Sequence, residues 1–362
     1  MSAAVPDRVE ALVERLFGAT VGALELFSVY LGTELGLYRA LAEYGRLTPA
    51  GLSERGGIAE RYAREWLEQQ AVAGLVEVED ADAPAEHRGY TLPAEHARVL
   101  AQPDDPAHVA PFAHLLAGIG GVLPQVAEAY RTGGGVPYSA YGEAFRYGQG
   151  QINRPAFNNE LVADWLAAMP DVVARLECAR HAHVADLGCG QGFSSIAIAK
   201  AFLGAHVDGV DSDQASIEDA RTGARQAGLD GRVRFIQADA TELATYGPYD
   251  LILILEALHD MAQPVDALRA ARAALAPGGA VLVGDERVAD DFTAPGDEVE
   301  RMMFGWSVTH CLPTQLAEQP SAALGTAMRA DTVRGLASEA GFARVDVLPV
   351  ENDFFRLYRL WP

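Results

Sequence analysis

Basic residues are scarce in this chain. Lys and Arg total 28 against 50 Asp and Glu, which leaves a formal charge of −22 over 362 residues. Lys200 is the only lysine, and every other basic residue is arginine. A phosphate backbone repels such a chain unless basic side chains concentrate on one face, so nucleic acid is not an expected partner. Cysteine is sparse as well. Cys178, Cys189 and Cys311 are scattered, which excludes a disulfide framework, gives no zinc-ligand spacing, and makes a reducing cytoplasm the expected compartment. No metal is expected. Long apolar runs are missing too. The longest stretch without Asp, Glu, Lys or Arg lies near residues 106–127, and His108, Pro111, His114, Gly118, Gly120, Gly121 and Pro124 interrupt it. That composition suits a loop-broken buried segment better than a lipid-facing helix, so no membrane is expected. The opening MSAAVPDRVE has no basic region followed by an apolar one, and no secretion signal is expected.

What is present suits two domains. We expect them at residues 1–145 and 146–362. Residues 7–44 carry Leu12, Leu16, Val21, Leu24, Leu26 and Leu31 at helical spacing and read as one helix. A short helix capped by Thr48 and another over 59–75 follow, then two short strands, LVEVED and RGYTL. Helix, helix and two-stranded ribbon is the order of a winged helix. Further helix is expected over 93–131, a flexible stretch over 132–142 and helix again over 155–178. From His183 strands and helices alternate, which argues for a parallel sheet covered on both faces. Two closing strands, ARVDVLP and DFFRLYRLWP, read as a hairpin that adds an antiparallel edge strand.

Three strand ends carry chemistry. Val184-Ala185-Asp186-Leu187-Gly188-Cys189-Gly190-Gln191-Gly192 runs from strand into helix through G-x-G-x-G. Glycine lets the backbone turn sharply and lets a ligand approach closely. A nicotinamide fingerprint would read G-x-G-x-x-G. Asp186 beside the turn instead suits the ammonium of a cofactor bearing an amino acid. Asp211 ends the next strand, 19 residues past Gly192 (211 − 192), where a carboxylate accepts both hydroxyls of a ribose. Asp239 and Ala240 follow the third strand, where a carboxylate and a backbone amide suit an adenine edge. One such residue alone is an ordinary strand-end cap. Three at successive strand ends describe a nucleoside site.

With DLGCGQG, the VDGVD acid, QADA and LAPGGAVLVGDE in order, the sequence resembles the class I S-adenosylmethionine (SAM) dependent methyltransferases over about residues 150–362. The front half is similar to the winged-helix dimerisation domain of bacterial and plant small-molecule O-methyltransferases. The stretches GWSVTHCLP, EQPSAALGTAMR and PVENDFFRLYRL bring it near actinobacterial members. The resemblance implies an α/β fold: a Rossmann-like, seven-stranded methyltransferase domain with its last strand antiparallel, behind a mostly helical winged-helix domain. It implies a cytoplasmic homodimer, a small-molecule acceptor, SAM as donor and S-adenosylhomocysteine as product. The expected cofactor set is Asp186, Gly188, Gly190, Gly192, Asp211, Ser212, Asp239, Ala240 and Glu256.

The same resemblance places a His-Asp pair after the fourth strand, here His259-Asp260, with His259 as base. A histidine titrates near neutrality and suits removal of a phenolic proton. Asp285 aligns best with the acid that orients the base, and Glu286 is the nearby alternative. The family often carries a second acid where this chain has Thr326-Ala327-Met328-Arg329, so the full dyad is not reproduced. Trp306 and His310 fall on a segment that lines the acceptor pocket in relatives, and Tyr138, Tyr141 and Phe157 near a lid. For each of these, core packing is the competing reading. His310 and Cys311 are neighbours on a helix and should point apart, which speaks against a metal site. The second helix of the front domain holds Arg61 and Arg64 among Glu60, Glu65 and Glu68, a mixed face without the excess that reading DNA needs. The competing functions are a SAM-sensing regulator with an idle cofactor domain and a SAM-bound enzyme that moves no methyl group.

Overall fold

The computed structural model describes residues 8–179 and 181–362. Two compact units form. One holds residues up to 118 together with 147–155, and the other holds 119–146 with 156–362. A single cut at residue 145 therefore does not reproduce them, because two helices each contribute to both.

In the first unit, α1 (Arg8–Glu34) and α2 (Leu37–Tyr44) replace the one helix expected over 7–44. Gly36 separates them at φ 66°, a left-handed conformation that glycine enters without a Cβ penalty. The oxygen of Thr48 caps α3 (Pro49–Gly56) by accepting the Gly51 N–H at 3.2 Å. Next come α4 (Glu60–Val72) and the antiparallel ribbon of β1 (Glu77–Glu79) and β2 (Gly89–Thr91). Leu37, Tyr38, Leu41, Leu52, Leu67 and Tyr90 close this core. After α5 (Ala94–Leu100), α6 (Phe112–Thr132) runs on through Pro124, where the sequence suggested a broken segment. Helix α7 (Gly142–Asn159) starts before the expected position and contains Pro155. Most of α1 lies open. Leu16, Phe17 and Leu24 are 60, 70 and 61 % exposed. Among the described residues α1 is also the one helix long and apolar enough, by length and composition, to cross a membrane; the sequence reading had found none.

The second unit is built on seven strands in the order β5-β4-β3-β6-β7-β9-β8. They are β3 (Ala182–Leu187), β4 (Ala205–Asp211), β5 (Val233–Gln237), β6 (Tyr249–Leu255), β7 (Leu275–Glu286), β8 (Arg344–Val347) and β9 (Phe355–Trp361). Side chains alternate across the sheet. Val184, Leu251, Leu253 and Leu282 enter one core with α8 (Pro170–Cys178) and α9 (Phe193–Ala201). Ala185, Ile252, Ile254 and Val283 enter the other with α11 (Pro264–Ala273) and α14 (Ala330–Glu339). Between them in the chain lie α10 (Gln214–Gln226), α12 (Glu298–Trp306) and α13 (Leu312–Leu316). The antiparallel strand is β9, as the resemblance implied, but it is not the edge. It inserts between β7 and β8. Burial explains this: Leu357, Tyr358 and Leu360 are 0–2 % exposed, whereas no residue of β8 is buried. Residues 132–142, expected to be flexible, are tied down instead. The Val136 N–H donates to the Pro313 carbonyl at 2.9 Å, and Tyr141 is buried.

Candidate active site

The five strands β3 to β7, paired in parallel, end on one side, and the loops that leave them build the site. Gly188, Gly190 and Gly192 turn the chain from β3 into α9 at φ 76°, 49° and 77°. A Cβ on Gly188 would lie 2.4 Å from the Ala257 Cβ, and one on Gly192 would lie 2.4 Å from the Phe235 ring. A Cβ on Gly190 would meet nothing within 4 Å. The turn is therefore closed on two sides and open at its middle glycine, the form a ligand cradle needs.

Asp211 braces that cradle. Its two carboxylate oxygens accept the N–H groups of Gly190 and Asp213, each at 2.8 Å. An ionised carboxylate has lone pairs beyond those two bonds, so ribose hydroxyls still find acceptors. Burial raises the Asp211 carboxyl to a pKa of about 6. Ser212 is exposed beside it, and its carbonyl accepts from Gln237 at 3.4 Å. Asp239 caps the next turn. Its Oδ1 accepts from the backbone and hydroxyl of Thr241, while Glu242 returns a bond to its N–H. Ala240 opens that turn. Glu256 ends β6 at φ 50°, and its N–H donates to the Gly284 carbonyl at 2.8 Å.

Asp186 is turned into the interior beside the glycine loop. It is 1 % exposed, and its Oδ2 accepts the hydroxyls of Ser194 and Ser195 at 2.6 Å each. The carboxylate is turned inward onto the first turn of α9, where it fixes the glycine loop. Its burial outweighs those bonds and raises its pKa. A short polar pair at the start of α9, Ser194-Ser195, was the signal for this inward turn.

His259 sits on the tight turn Leu258–Asp260 after β6 and is 3 % exposed. Its Nδ1 donates to the Asp285 Oδ1 at 2.8 Å, and that oxygen also accepts the Glu286 N–H at 2.9 Å. The Asp285 side chain is fully buried. Nε2 faces the other way, 3.4 Å from the Asp260 Oδ1. Burial alone would lower the imidazole pKa. The charges of Asp285 and then Asp260 outweigh it and hold the group well above the usual histidine range. Glu286 is a further buried acid. Burial, reinforced by Glu256, lifts it well above the usual carboxylate range.

Residues the sequence reading missed position this turn. Gln315 is 1 % exposed; its Nε2 donates to the carbonyls of His259 and Met261, and its Oε1 accepts the Gly325 N–H at 2.8 Å. A glutamine inside a polar stretch carries no sequence signal. Phe145 was missed as well. It stacks on His310 at 4.2 Å between ring centres, and Tyr141 and Tyr138 meet the same imidazole edge-on at 4.7 and 5.9 Å. Tyr138 lies where Asp211, Asp213 and Asp260 all act on it. Its burial, with their charges, raises the phenol pKa. Burial lowers His310 to about 4. Phe157 is not part of this aromatic group; it packs edge-on to Trp165 at 6.1 Å within the core. Trp306 is half-buried at the end of α12. His310 and Cys311 do not point apart. The Cys311 Sγ lies 3.5 Å from the His310 Nδ1, because Ser307–Cys311 forms a wide π-type turn rather than a regular α-helix.

Comparison with known proteins gives the class. Residues 179–325 match the family described as Methyltransferase domain, and residues 22–102 match the Rv2258c-like winged HTH domain. The chain thus joins a segment that matches a methyltransferase domain to one that matches a winged-helix domain. A ubiquinone biosynthesis O-methyltransferase from Caulobacter sp. (strain K31) is 36 % identical over 98 residues, which are 27 % of this chain and 38 % of that protein. The chain spans less than half of the length of such curated relatives. Two solved structures are similar along their whole lengths. One, from Nostoc punctiforme, is described as a putative O-methyltransferase: 21 % identity, TM-score 0.67, all of both chains covered. The other is human N-acetylserotonin methyltransferase with SAM: 17 % identity, TM-score 0.66, 99 % of both chains. At those identities the likeness concerns the fold.

Proposed function

We propose that this protein transfers the methyl group of SAM to a hydroxyl of a small molecule. The observation that carries the reading is the buried Asp285–His259 pair, held at 2.8 Å on the rim next to the glycine cradle. The residues fit the donor: an open glycine turn, a braced carboxylate at Asp211 and a carboxylate at Asp239 on the next strand. Bound there, SAM supplies an electrophilic methyl on a sulfonium. The His259 Nε2 would take the hydroxyl proton of an acceptor placed to receive that methyl. Asp285 holds the ring so that Nε2 faces the acceptor and stabilises the imidazolium that forms. Gln315 fixes the turn, and Tyr138, Tyr141, Trp306 and His310 wall the acceptor side.

The second copy of the chain is the partner we assign to α1. Its exposed Leu16, Phe17 and Leu24 lie on a helix with little cover of its own. A DNA-reading role has less support. Arg61 pairs with Glu65, and both Arg64 and Arg88 with Glu68, which leaves α4 without a free basic face. Labelled SAM, the purified protein and a pooled small-molecule extract test the reading, with His259→Ala alongside. An enzyme-dependent labelled product, lost in the variant, is expected. Tight SAM binding with no labelled product would refute methyl transfer.

A further inference from the structure

One donor atom from each of His259, Asp260 and Cys311 lies within 4.8 Å of the other two, and the His259 Nε2 is 3.4 Å from the Asp260 Oδ1. His259 and Cys311 are 3 and 4 % exposed. The Asp260 Oδ1 is buried and has no hydrogen-bond partner. We propose that these three atoms form a site for one borderline-soft divalent cation of the Zn²⁺ type.

The geometry is that of a tetrahedral corner. Ligand legs of about 2.0–2.2 Å at a tetrahedral angle put neighbouring N and O donors about 3.4 Å apart. The observed separation from Nε2 to Oδ1 is 3.4 Å. A sulfur leg of about 2.3 Å puts Sγ about 3.6 Å from Nε2, so the thiol closes on the ion by roughly 1 Å at most from its present distance. The imidazole is already prepared. A ligating histidine ordinarily donates its other ring N–H to a carboxylate, which fixes the ring, and the His259 Nδ1 donates to the Asp285 Oδ1 at 2.8 Å. A mixed N, O and S set selects Zn²⁺ or Co²⁺ over Mg²⁺ and Ca²⁺, which prefer oxygen. Three protein ligands leave the fourth position open to water or substrate. The consequence for catalysis rests on the reading of His259 as base: an ion on Nε2 occupies the atom that takes the acceptor's proton, so it inhibits methyl transfer.

Co²⁺ is the probe, because a thiolate ligand gives it a near-ultraviolet charge-transfer band. The full chain carrying Cys178→Ser is stripped with chelator and titrated, which removes the one exposed thiol. One equivalent per chain and a sulfur-to-cobalt band are expected. Adding Cys311→Ser abolishes the band with the circular dichroism unchanged, and Asp260→Asn weakens binding at least tenfold. Absence of the band, or a band that survives Cys311→Ser, overturns the site. Zn²⁺ added to the wild-type enzyme should suppress methyl transfer. A cobalt band without zinc inhibition upholds the site and removes His259 as base.

Discussion

Asp285→Asn removes one charge and almost no volume. Asp285 is fully buried, and its Oδ1 carries both the His259 Nδ1–H and the Glu286 N–H. An amide oxygen can keep both of these bonds but not the charge. As His259 takes the acceptor's proton, an imidazolium forms in a site 3 % open to solvent. Leaving a buried charge without its partner costs about 3–5 kcal/mol. At 1.36 kcal/mol per decade, that is a fall in kcat of roughly 10²- to 10⁴-fold. The KM for acceptor and the Kd for SAM should move little, since Asp285 touches neither the glycine turn nor Asp211. Steady-state rates with the acceptor found by labelling, beside calorimetric SAM titration, separate these effects. A structural role alone would lower Tm and leave kcat per folded molecule unchanged. A variant that retains kcat within about threefold would refute the base-and-orienter reasoning.

Other perturbations read other parts of the molecule. Asp211→Ala should release the Gly190 and Asp213 amides and weaken SAM binding by at least tenfold in calorimetry; wild-type affinity would dissociate Asp211 from the cofactor. Gly188→Ala places a Cβ 2.4 Å from that of Ala257 at φ 76°, so Tm and SAM affinity should fall together, and an unchanged Tm would show that the turn relaxes freely. His114 has its pKa lowered by burial to about 4, and its Nε2 is bonded to the Thr33 hydroxyl at 2.7 Å. The fold thus prefers the neutral ring: that stability is complete above the unfolded value near 6.5 and is lost as pH falls towards 4, about 3 kcal/mol in all. His114→Gln should shrink the wild type's loss of urea stability between pH 7 and 4.5, and an equal loss in both proteins would refute the assignment. Leu16→Glu with Phe17→Glu should dissociate a dimer in sedimentation with Tm nearly constant; dimers that persist would place the interface elsewhere.

The strand ends were legible in the sequence because each obeys a local rule. The glycines of the first turn need positive φ, and they have it. Asp211 and Asp239 follow short apolar runs, and such runs end where the sheet ends. The helical front half was less legible because its breaks are single residues. Gly36 divides α1 from α2 although apolar spacing continues across it. Pro124 fails to divide α6, since one missing N–H costs less than the burial that the helix gains by continuing. β9 was placed at the edge because chain order was taken for spatial order; its buried run Leu357–Leu360, read for burial on both faces, is the pattern of an interior strand.

The site was legible where it follows the chain and opaque where it folds back. His259 and Asp285 stand at the ends of adjacent strands, so their approach follows from a parallel sheet. Cys311 and Gln315 reach His259 from a segment 50 residues further on, and no period predicts that meeting. A π-type turn rotates Cys311 off the regular helical spacing, which is why its neighbour His310 touches it instead of diverging. The same turn brings a thiol to the imidazole atom assigned to proton transfer. Asp186 shows the converse. Its place beside the glycines suggested a ligand, and two serine hydroxyls at the start of α9 give it an internal use as well. In both cases hydrogen-bond supply decided the outcome: Asp186 turns inward because donors await it there, and the buried Asp260 Oδ1 meets only the His259 Nε2, at 3.4 Å.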